Sequence, residues 1–458
     1  MTTVAAIATA PGQGGVGVIR LSGQDALRIL RVVFSPANTC FEPRKLRYGR
    51  IMADAQPLDD VLAVYFPGPA SYTGEDVVEI QGHGGQAVLQ AILAELLKNG
   101  AYPAERGEFT RRAFLNGKMD LTQAEAVAEI IAAPGLEGIR LASAKLDGLL
   151  GQRIDALRAG LEHLRQQFCL AIDFPEDEVE CLPRLEIAQL LRGLILDVRS
   201  LLAGFERARA WRDGAVVVLA GQVNVGKSSL MNALLGRPRA IVAEKPGTTR
   251  DYLEETTHLD GLPVRLIDTA GLRSSADIIE LEGMRRSCQL ATQAQLILLV
   301  LDGCQVDLAD PDLAEPDLAL AKLREALPPQ AELPPILVVW NKADLVVPPQ
   351  ANLWNLPLLP VSAKYGEGID ELACAIRRQI VTGPPAPGDI APNIRQAEAL
   401  LAALDELAAL EAEVEADLPP DLLSVRLDAA ATHLAGITGL NTSEETLNAV
   451  FANFCIGK

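Results

Sequence analysis

The loop Gly221-Gln222-Val223-Asn224-Val225-Gly226-Lys227-Ser228 constrains this chain more than any other stretch. It fits the pattern G-x-x-x-x-G-K-[ST], which works only where a buried strand turns sharply into a helix. The flanks supply that setting. Residues 215–220 are a continuous apolar run of strand length, and residues 229–235 have helical texture. Backbone N–H groups of such a loop converge on phosphate, the Lys227 ammonium adds a point charge, and the Ser228 hydroxyl is a ligand for Mg²⁺. The middle of the chain is therefore expected to be α/β around a parallel sheet.

Three further motifs follow in order, each after an apolar, strand-like run: Asp268-Thr269-Ala270-Gly271, Asn341-Lys342-Ala343-Asp344 and Ser362-Ala363-Lys364. A phosphate loop alone leaves ATP and GTP open, and the Asn-Lys-x-Asp element decides between them. The Asp344 carboxylate accepts hydrogen bonds from guanine N1–H and the exocyclic amine, a donor pair that adenine lacks. A site built around that acceptor rejects the analogue that cannot pair with it. Taken singly, Asn341 and Asp344 are explained as well by helix capping. In register with the other three motifs they specify GTP, and Ser229 completes the set of residues expected around the phosphates.

The rest of the composition excludes more than it assigns. At 458 residues the chain has room for about three domains. Its seven cysteines are odd in number and scattered, with no C-x-x-C pair, and read as reduced thiols of a cytosolic protein. No apolar run has the length to span a bilayer, and the start Met-Thr-Thr-Val lacks the basic residues of a signal peptide. A formal net charge of −19 argues against indiscriminate nucleic-acid binding. Two basic clusters, Arg44/Lys45/Arg47/Arg50 and Arg106/Arg111/Arg112/Lys118, are expected to be solvated faces.

Texture divides the chain into residues 1–118, 119–212, 213–378 and 379–458. The first is rich in Gly and β-branched residues, with strand-like runs at 16–21, 61–66 and 77–80 and a helical patch at 86–98, so a compact α+β domain is expected. The second is helical, broken by the acidic insert 173–178 with Pro175 as a stop. The third alternates strand and helix. After the Pro384-Pro385-Pro387 linker, residues 394–414, 422–435 and 444–454 look helical. The simplest arrangement is multidomain: helices before and after the nucleotide domain pack together, and a Ras-like P-loop G domain is inserted between them. A separate C-terminal bundle is the alternative.

The switch region departs from Ras. Where Ras-like proteins place a water-orienting glutamine after D-x-x-G, this chain has Leu272. Glu280 and Glu282 are candidates for the missing role, against a plain reading as a solvated helix face. The stretch Pro246-Gly247-Thr248-Thr249-Arg250-Asp251 stands where switch I belongs, and a threonine there can ligate Mg²⁺. Asn224 offers an oxygen facing the same place, where a monovalent cation could offset developing charge.

By these residues the chain resembles the tRNA-modification GTPase family known as MnmE or TrmE. Further matching stretches are Pro11 to Arg20, Ser71-Tyr-Thr-Gly-Glu-Asp76, Gln81-Gly-His-Gly-Gly85, Asn116 to Glu125 and the terminal Phe454-Cys-Ile-Gly-Lys458. The resemblance implies a folate-binding N-terminal α+β domain, a discontinuous helical domain and an inserted G domain. It implies a homodimer through the N-terminal domains, with G domains associating when GTP and K⁺ bind. With an FAD-dependent partner, MnmG, in a heterotetrameric complex, the family installs an aminomethyl or carboxymethylaminomethyl group at C5 of the wobble uridine of certain tRNAs.

Carried over by motif, Asn224, Ala243, Lys245 and Thr248 would hold K⁺, and Ser228 and Thr249 would hold Mg²⁺. Ala243-Glu244-Lys245-Pro246-Gly247 would border the nucleotide. Glu280 matches the glutamate that positions water. Arg20, Glu79, Lys118 and Lys458 match contacts to 5-formyl-tetrahydrofolate. Cys455 matches a family cysteine whose role stays open, packing between Phe454 and Ile456 being the plain alternative. Two departures stand out: Lys245 places a mobile cation beside the K⁺ loop, and Gln396 replaces a frequent histidine. The proline-rich stretch 307–335 looks like a local elaboration. Two other functions remain: a regulatory GTPase of ribosome assembly, and a folate-dependent transferase regulated by GTP.

Overall fold

The computed structural model describes residues 2–37, 39–173, 183–222, 224–236, 254–268, 294–305, 334–348, 356–386 and 388–458. The chain divides into two compact units. The first comprises Met1–Ala132, Ala142–Leu202 and Pro392–Lys458; the second comprises Ala133–Leu141 and Ala203–Ala391.

In the first unit, seven strands form one sheet: β1 (Val4–Ile7), β2 (Gly14–Ser22), β3 (Phe34–Ser35), β4 (Arg47–Ala53), β5 (Gln56–Phe66), β6 (Val77–Gly84) and β7 (Tyr102–Pro103). Their order is β3-β4-β5-β6-β2-β1-β7, antiparallel throughout except for the β1/β7 edge. Alternation along β2 turns Ile19 and Leu21 inward, onto the helices Ala26–Val33 and Gln86–Lys98. Ile29, Leu30, Ile51, Ile80, Ile92 and Leu96 complete this fully buried core.

The helical part of the unit draws on chain from both sides of the second. Pro420–Thr438 packs against both Ile394–Glu415 and Leu149–Asp173. Leu150, Ile154, Leu157, Leu161, Leu400, Leu407, Leu427 and Leu434 are buried there. Asn393 and Gln396 form a reciprocal capping box that starts Ile394–Glu415. Gln396 also donates to Glu125 at 2.5 Å, and Arg395 grips the same carboxylate at 2.6 and 2.8 Å.

The second unit holds a six-stranded sheet: β8 (Ala215–Ala220), β9 (Glu254–Leu259), β10 (Leu262–Asp268), β11 (Leu296–Asp302), β12 (Ile336–Asn341) and β13 (Leu358–Val361). The order is β13-β12-β11-β8-β10-β9, parallel except that β9 runs antiparallel to β10. β11 is buried at every position, as a parallel strand covered on both faces must be. That explains an apolar run without alternation. Residues 203–213 also belong to this unit; Ala208, Ala210 and Trp211 join its core.

Several local expectations change. The last helix of the 119–212 stretch, Arg184–Asp213, runs right up to β8. That stretch is also interrupted before the acidic insert, because Leu136–Leu146 ends and the chain turns at Asp147-Gly148 before Leu149–Asp173. The Pro175 stop and almost all of the 307–335 elaboration lie outside the described residues. Among the described residues, no helix is long and apolar enough to cross a membrane.

The basic clusters separate. Lys45 and Arg47 pair with Glu42, and Arg50 with Asp60, on a solvated face as expected. Arg112 is a correction: it is 4 % exposed and bound at 2.9 Å to each of Glu75 and Glu108. Its Nη1 also donates to Thr2 O at 2.9 Å and approaches Ser22 O at 3.4 Å. Four basic residues across 106–118 look alike in sequence, but only the helix Glu108–Leu115 decides which one turns inward. Arg112→Ala would leave two carboxylates without their cation and is expected to cost about 3 kcal/mol, read from the urea midpoint. An unchanged midpoint would show that water reaches Glu75 and Glu108.

Candidate functional site

β8 delivers the chain to the loop at 221–226, and Lys227–Leu235 starts directly after it, two residues earlier than its helical texture suggests. Gly226 caps that helix at φ 96°, and Asn224 is also left-handed at φ 67°. Lys227 reaches back across the loop, its Nζ donating to Gly221 O at 3.0 Å and Gln222 O at 2.6 Å. This closes a ring of backbone at a helix N-terminus, the setting in which N–H groups converge on an anion. Val225 is buried beneath it, and Ser229 follows on the first turn.

Ser228 Oγ donates to Asp268 Oδ2 at 2.9 Å, joining the start of this helix to the end of β10. A hydroxyl and a carboxylate side by side are hard oxygen donors of the kind that Mg²⁺ takes. The residues present fit that ion.

Asn341 is buried and is no helix cap. Its Nδ2 donates to Val225 O at 2.8 Å, and its Oδ1 accepts from Ala363 N at 3.2 Å. One side chain thus ties the phosphate loop to the loop at 362–364. A Cβ on Gly226 would overlap the Asn341 amide, so glycine is required there by contact as well as by φ. Ala343 N donates to Val361 O at 3.1 Å, which fixes the turn that presents the exposed Asp344. Ser362 is fully buried, and Lys364 Nζ lies 4.9 Å from the Tyr365 ring centroid.

Sequence reasoning missed Asp302. This carboxylate ends β11, is 1 % exposed, and accepts from Lys342 Nζ at 2.6 Å and from Cys304 N at 3.0 Å. The hydrogen bond from Lys342, itself held at φ 65°, raises that ammonium's pKa. Register pairs Asp302 with Asn341 across adjacent parallel strands, and an acid closing an apolar run was the available signal. Beside them, a Cβ on Gly303 would come within 2.6 Å of Trp340 Nε1.

The switch residues Ala243, Glu244, Lys245, Pro246, Gly247, Thr248, Thr249, Thr269, Ala270, Gly271, Glu280 and Glu282 lie outside the described residues.

A second cluster forms in the first unit. Arg20 pairs with Glu79 at 2.7 Å across β2 and β6, and its Nη1 donates to Gly457 O at 3.2 Å. The guanidinium lies 5.6 Å from the ring centroids of both Tyr72 and Phe109. Lys458 joins them: Phe109 N donates to its carbonyl at 3.2 Å. Burial, and then the Arg20 charge, lower its ammonium pKa. Cations beside aromatic faces fit an anionic, flat heterocycle. Lys118 instead donates to Pro69 O at 3.1 Å. Cys455 is exposed, so packing does not account for it; buried Phe454 packs on Phe451 with centroids 5.3 Å apart.

Two outcomes follow from this geometry. Asp302→Asn keeps the bond from Cys304 N but releases Lys342, and is expected to weaken GDP about tenfold, as loss of one charge-assisted hydrogen bond implies. Turnover at saturating GTP should hold, so titration and kinetics together check it. Lys458, with a folded pKa below its unfolded 10.5, opposes folding at low pH, and the penalty fades as pH rises through the lowered value toward 10.5. Arg20→Ala should raise that pKa, measured by NMR of the labelled lysine; an unmoved value would leave burial as the whole cause.

Comparisons with known proteins extend over the whole chain. The family model for the GTP-binding protein TrmE N-terminus matches residues 3–118, and that for the MnmE helical domain matches residues 121–455. The tRNA modification GTPase MnmE of Nitratidesulfovibrio vulgaris (strain DP4) is 53% identical over 470 residues, covering 100% of this chain and 99% of the relative. That of Lawsonia intracellularis (strain PHE/MN1-00) is 43% identical over 469 residues, with coverage of 100% and 99%. Among solved structures, the G domain of the T. maritima FeoB iron transporter covers 36% of this chain and 98% of its own at 28% identity and a TM-score of 0.26. With a phosphate loop, a guanine-type Asn-Lys-Ala-Asp turn and relatives matched from end to end, the chain belongs to the tRNA modification GTPase MnmE family.

Proposed function

We propose that this chain is a K⁺-activated GTPase that acts with MnmG, the FAD-dependent partner, to add an aminomethyl or carboxymethylaminomethyl group at C5 of the wobble uridine of certain tRNAs. The observation that carries the reading is the full-length 53% identity to a tRNA modification GTPase, combined with a phosphate loop clamped by Asn341. Fold boundaries near 118, 212 and 378 are part of the same proposal, with the G domain inserted into the helical one.

In this reading Lys227 and the loop amides bind the β- and γ-phosphates, and Asp344 selects guanine. Mg²⁺, held by Ser228 and Thr249, supplies charge neutralisation at the phosphates. Potassium, held by Asn224, Ala243, Lys245 and Thr248, supplies the positive charge that an arginine finger gives elsewhere. Glu280 orients the attacking water in place of the glutamine that Leu272 displaces. Association of two G domains completes the site and drives hydrolysis. Arg20, Glu79 and Lys458, with Lys118 nearby in sequence to the same signatures, hold a 5-formyl-tetrahydrofolate-type one-carbon donor in a homodimer.

Exchanging K⁺ for Na⁺ is expected to slow GTP hydrolysis by at least about tenfold. Glu280→Ala should keep nucleotide affinity and lose most turnover. Equal rates in both salts would remove the cation from the mechanism. Nucleoside analysis of tRNA from a deletion strain tests the biological reading: an unmodified wobble uridine supports it, and a full complement of modified uridine overturns it.

A further inference from the structure

The β9–β10 hairpin has one end beside the phosphate loop and the other at a piece of chain from outside the G domain. β10 finishes at Asp268, which meets Ser228. β9 begins at Glu254, opposite Ile267, directly after the stretch that carries Thr248 and Thr249. The far end is the turn between Leu259 and Leu262, roughly 20 Å away at about 3.3 Å per residue. There, His258 Nε2 donates to Pro134 O at 2.7 Å. Gly135 lies against the imidazole and the Pro263 ring, and Leu141 is buried in the core with Leu259 and Leu262. Asp260 pairs with Arg377 at 2.5 Å, so the tip is anchored on both sides.

Among the described residues before 203, the captured segment Ala133–Leu141 alone belongs to the second unit. It is covalently continuous with Leu121–Ala132 on one side and with the rest of Leu136–Leu146 on the other. Those two helices carry Glu129 and Lys145, an ion pair of the first unit, and Asn393 donates to the same Glu129 at 3.2 Å. A hairpin is stiff along its strands because the ladder resists shear. A displacement at Asp268 or Glu254 therefore arrives at Pro134 rather than dissipating.

Resting on the GTPase reading above, we propose that this hairpin is the element that reports nucleotide state to the segment at 133–141, with His258 as the positioning residue that couples them. Nucleotide bound at the phosphate loop acts on the Ser228–Asp268 contact at the end of β10, the hairpin shifts along its length, and the His258–Pro134 hydrogen bond carries segment 133–141 with it. The helix pair bearing Glu129 and Lys145 is then biased through the chain itself. His258 touches no reacting atom. Its role is separable from hydrolysis.

Hydrogen exchange on the full-length protein tests this. Peptides spanning 133–141 should differ in protection at least about twofold between the GDP state and the GDP–aluminium fluoride state in K⁺. In His258→Ala that difference should vanish, while GTP turnover stays within about twofold of wild type and the first unit's peptides stay protected. His258→Gln, whose amide can donate to the same carbonyl, should restore the difference; a purely structural role would show instead as equal loss in both nucleotide states. The proposal is overturned if wild-type peptides 133–141 ignore the nucleotide, or if His258→Ala retains the full difference. Failure of wild type to bind or hydrolyse GTP would be seen separately in turnover, and would strike the GTPase reading rather than the coupling.

Discussion

Two hydrogen bonds from one buried amide hold the nucleotide site together. Asn341 donates to the phosphate loop at Val225 and accepts from the loop at 362–364 through Ala363 N–H. The phosphates and the base are read by loops far apart in sequence, and a guanine nucleotide must meet both at once. Because Asn341 spans them at the ends of parallel strands, the spacing between the two half-sites is set before any ligand arrives. That is pre-organisation in the physical sense: the ordering cost falls on folding, and binding is relieved of it. The buried Asp302 extends the same logic to Lys342, holding a flexible side chain by a bond that strengthens as water is excluded.

The first unit uses charge differently. Arg112 neutralises Glu75 and Glu108 inside the protein and is satisfied there. Arg20 has Glu79 and a backbone carbonyl but shares its surroundings with Lys458, whose ammonium pKa is lowered by burial and then by the Arg20 charge. Arg20 faces the Tyr72 and Phe109 rings, and with Lys458 it shares a single side-chain carboxylate, Glu79, which leaves these side chains short of negative charge. A ligand that brings its own carboxylates would relieve that shortage. Structural ion pairs and ligand-seeking ones can thus be told apart by whether the ledger of charge closes within the fold.

Much of this was legible in the sequence, and what was not has physical causes. Apolar runs long enough to be covered on both faces, such as Leu296–Asp302, announce themselves because no solvent-facing residue interrupts them. Glu254–Leu259 escaped notice because an edge strand can be polar at nearly every position. The phosphate loop and its companion motifs were visible because the backbone geometry they serve tolerates few residue types. Asp302 was invisible because its meaning depends on a neighbouring strand 39 positions away in sequence, at Asn341. Arg112 looked like its basic neighbours until the helix phase turned it inward. Cys455, flanked by Phe454 and Ile456, reads as a packing residue, yet the turn at the end of Glu444–Ala452 leaves it exposed.

The contact between Gly303 and the Trp340 indole has a bearing on how this family can diverge. Gly303 follows the end of β11 and Trp340 lies on the neighbouring β12, and the indole occupies the room that any larger residue at 303 would need. Position 303 cannot gain a side chain on its own. A lineage that acquires a side chain at the first must also shrink the second, and the shrinkage would soften the floor on which the purine-recognition turn is built. A side chain at 303 should therefore be found only together with a smaller residue at 340.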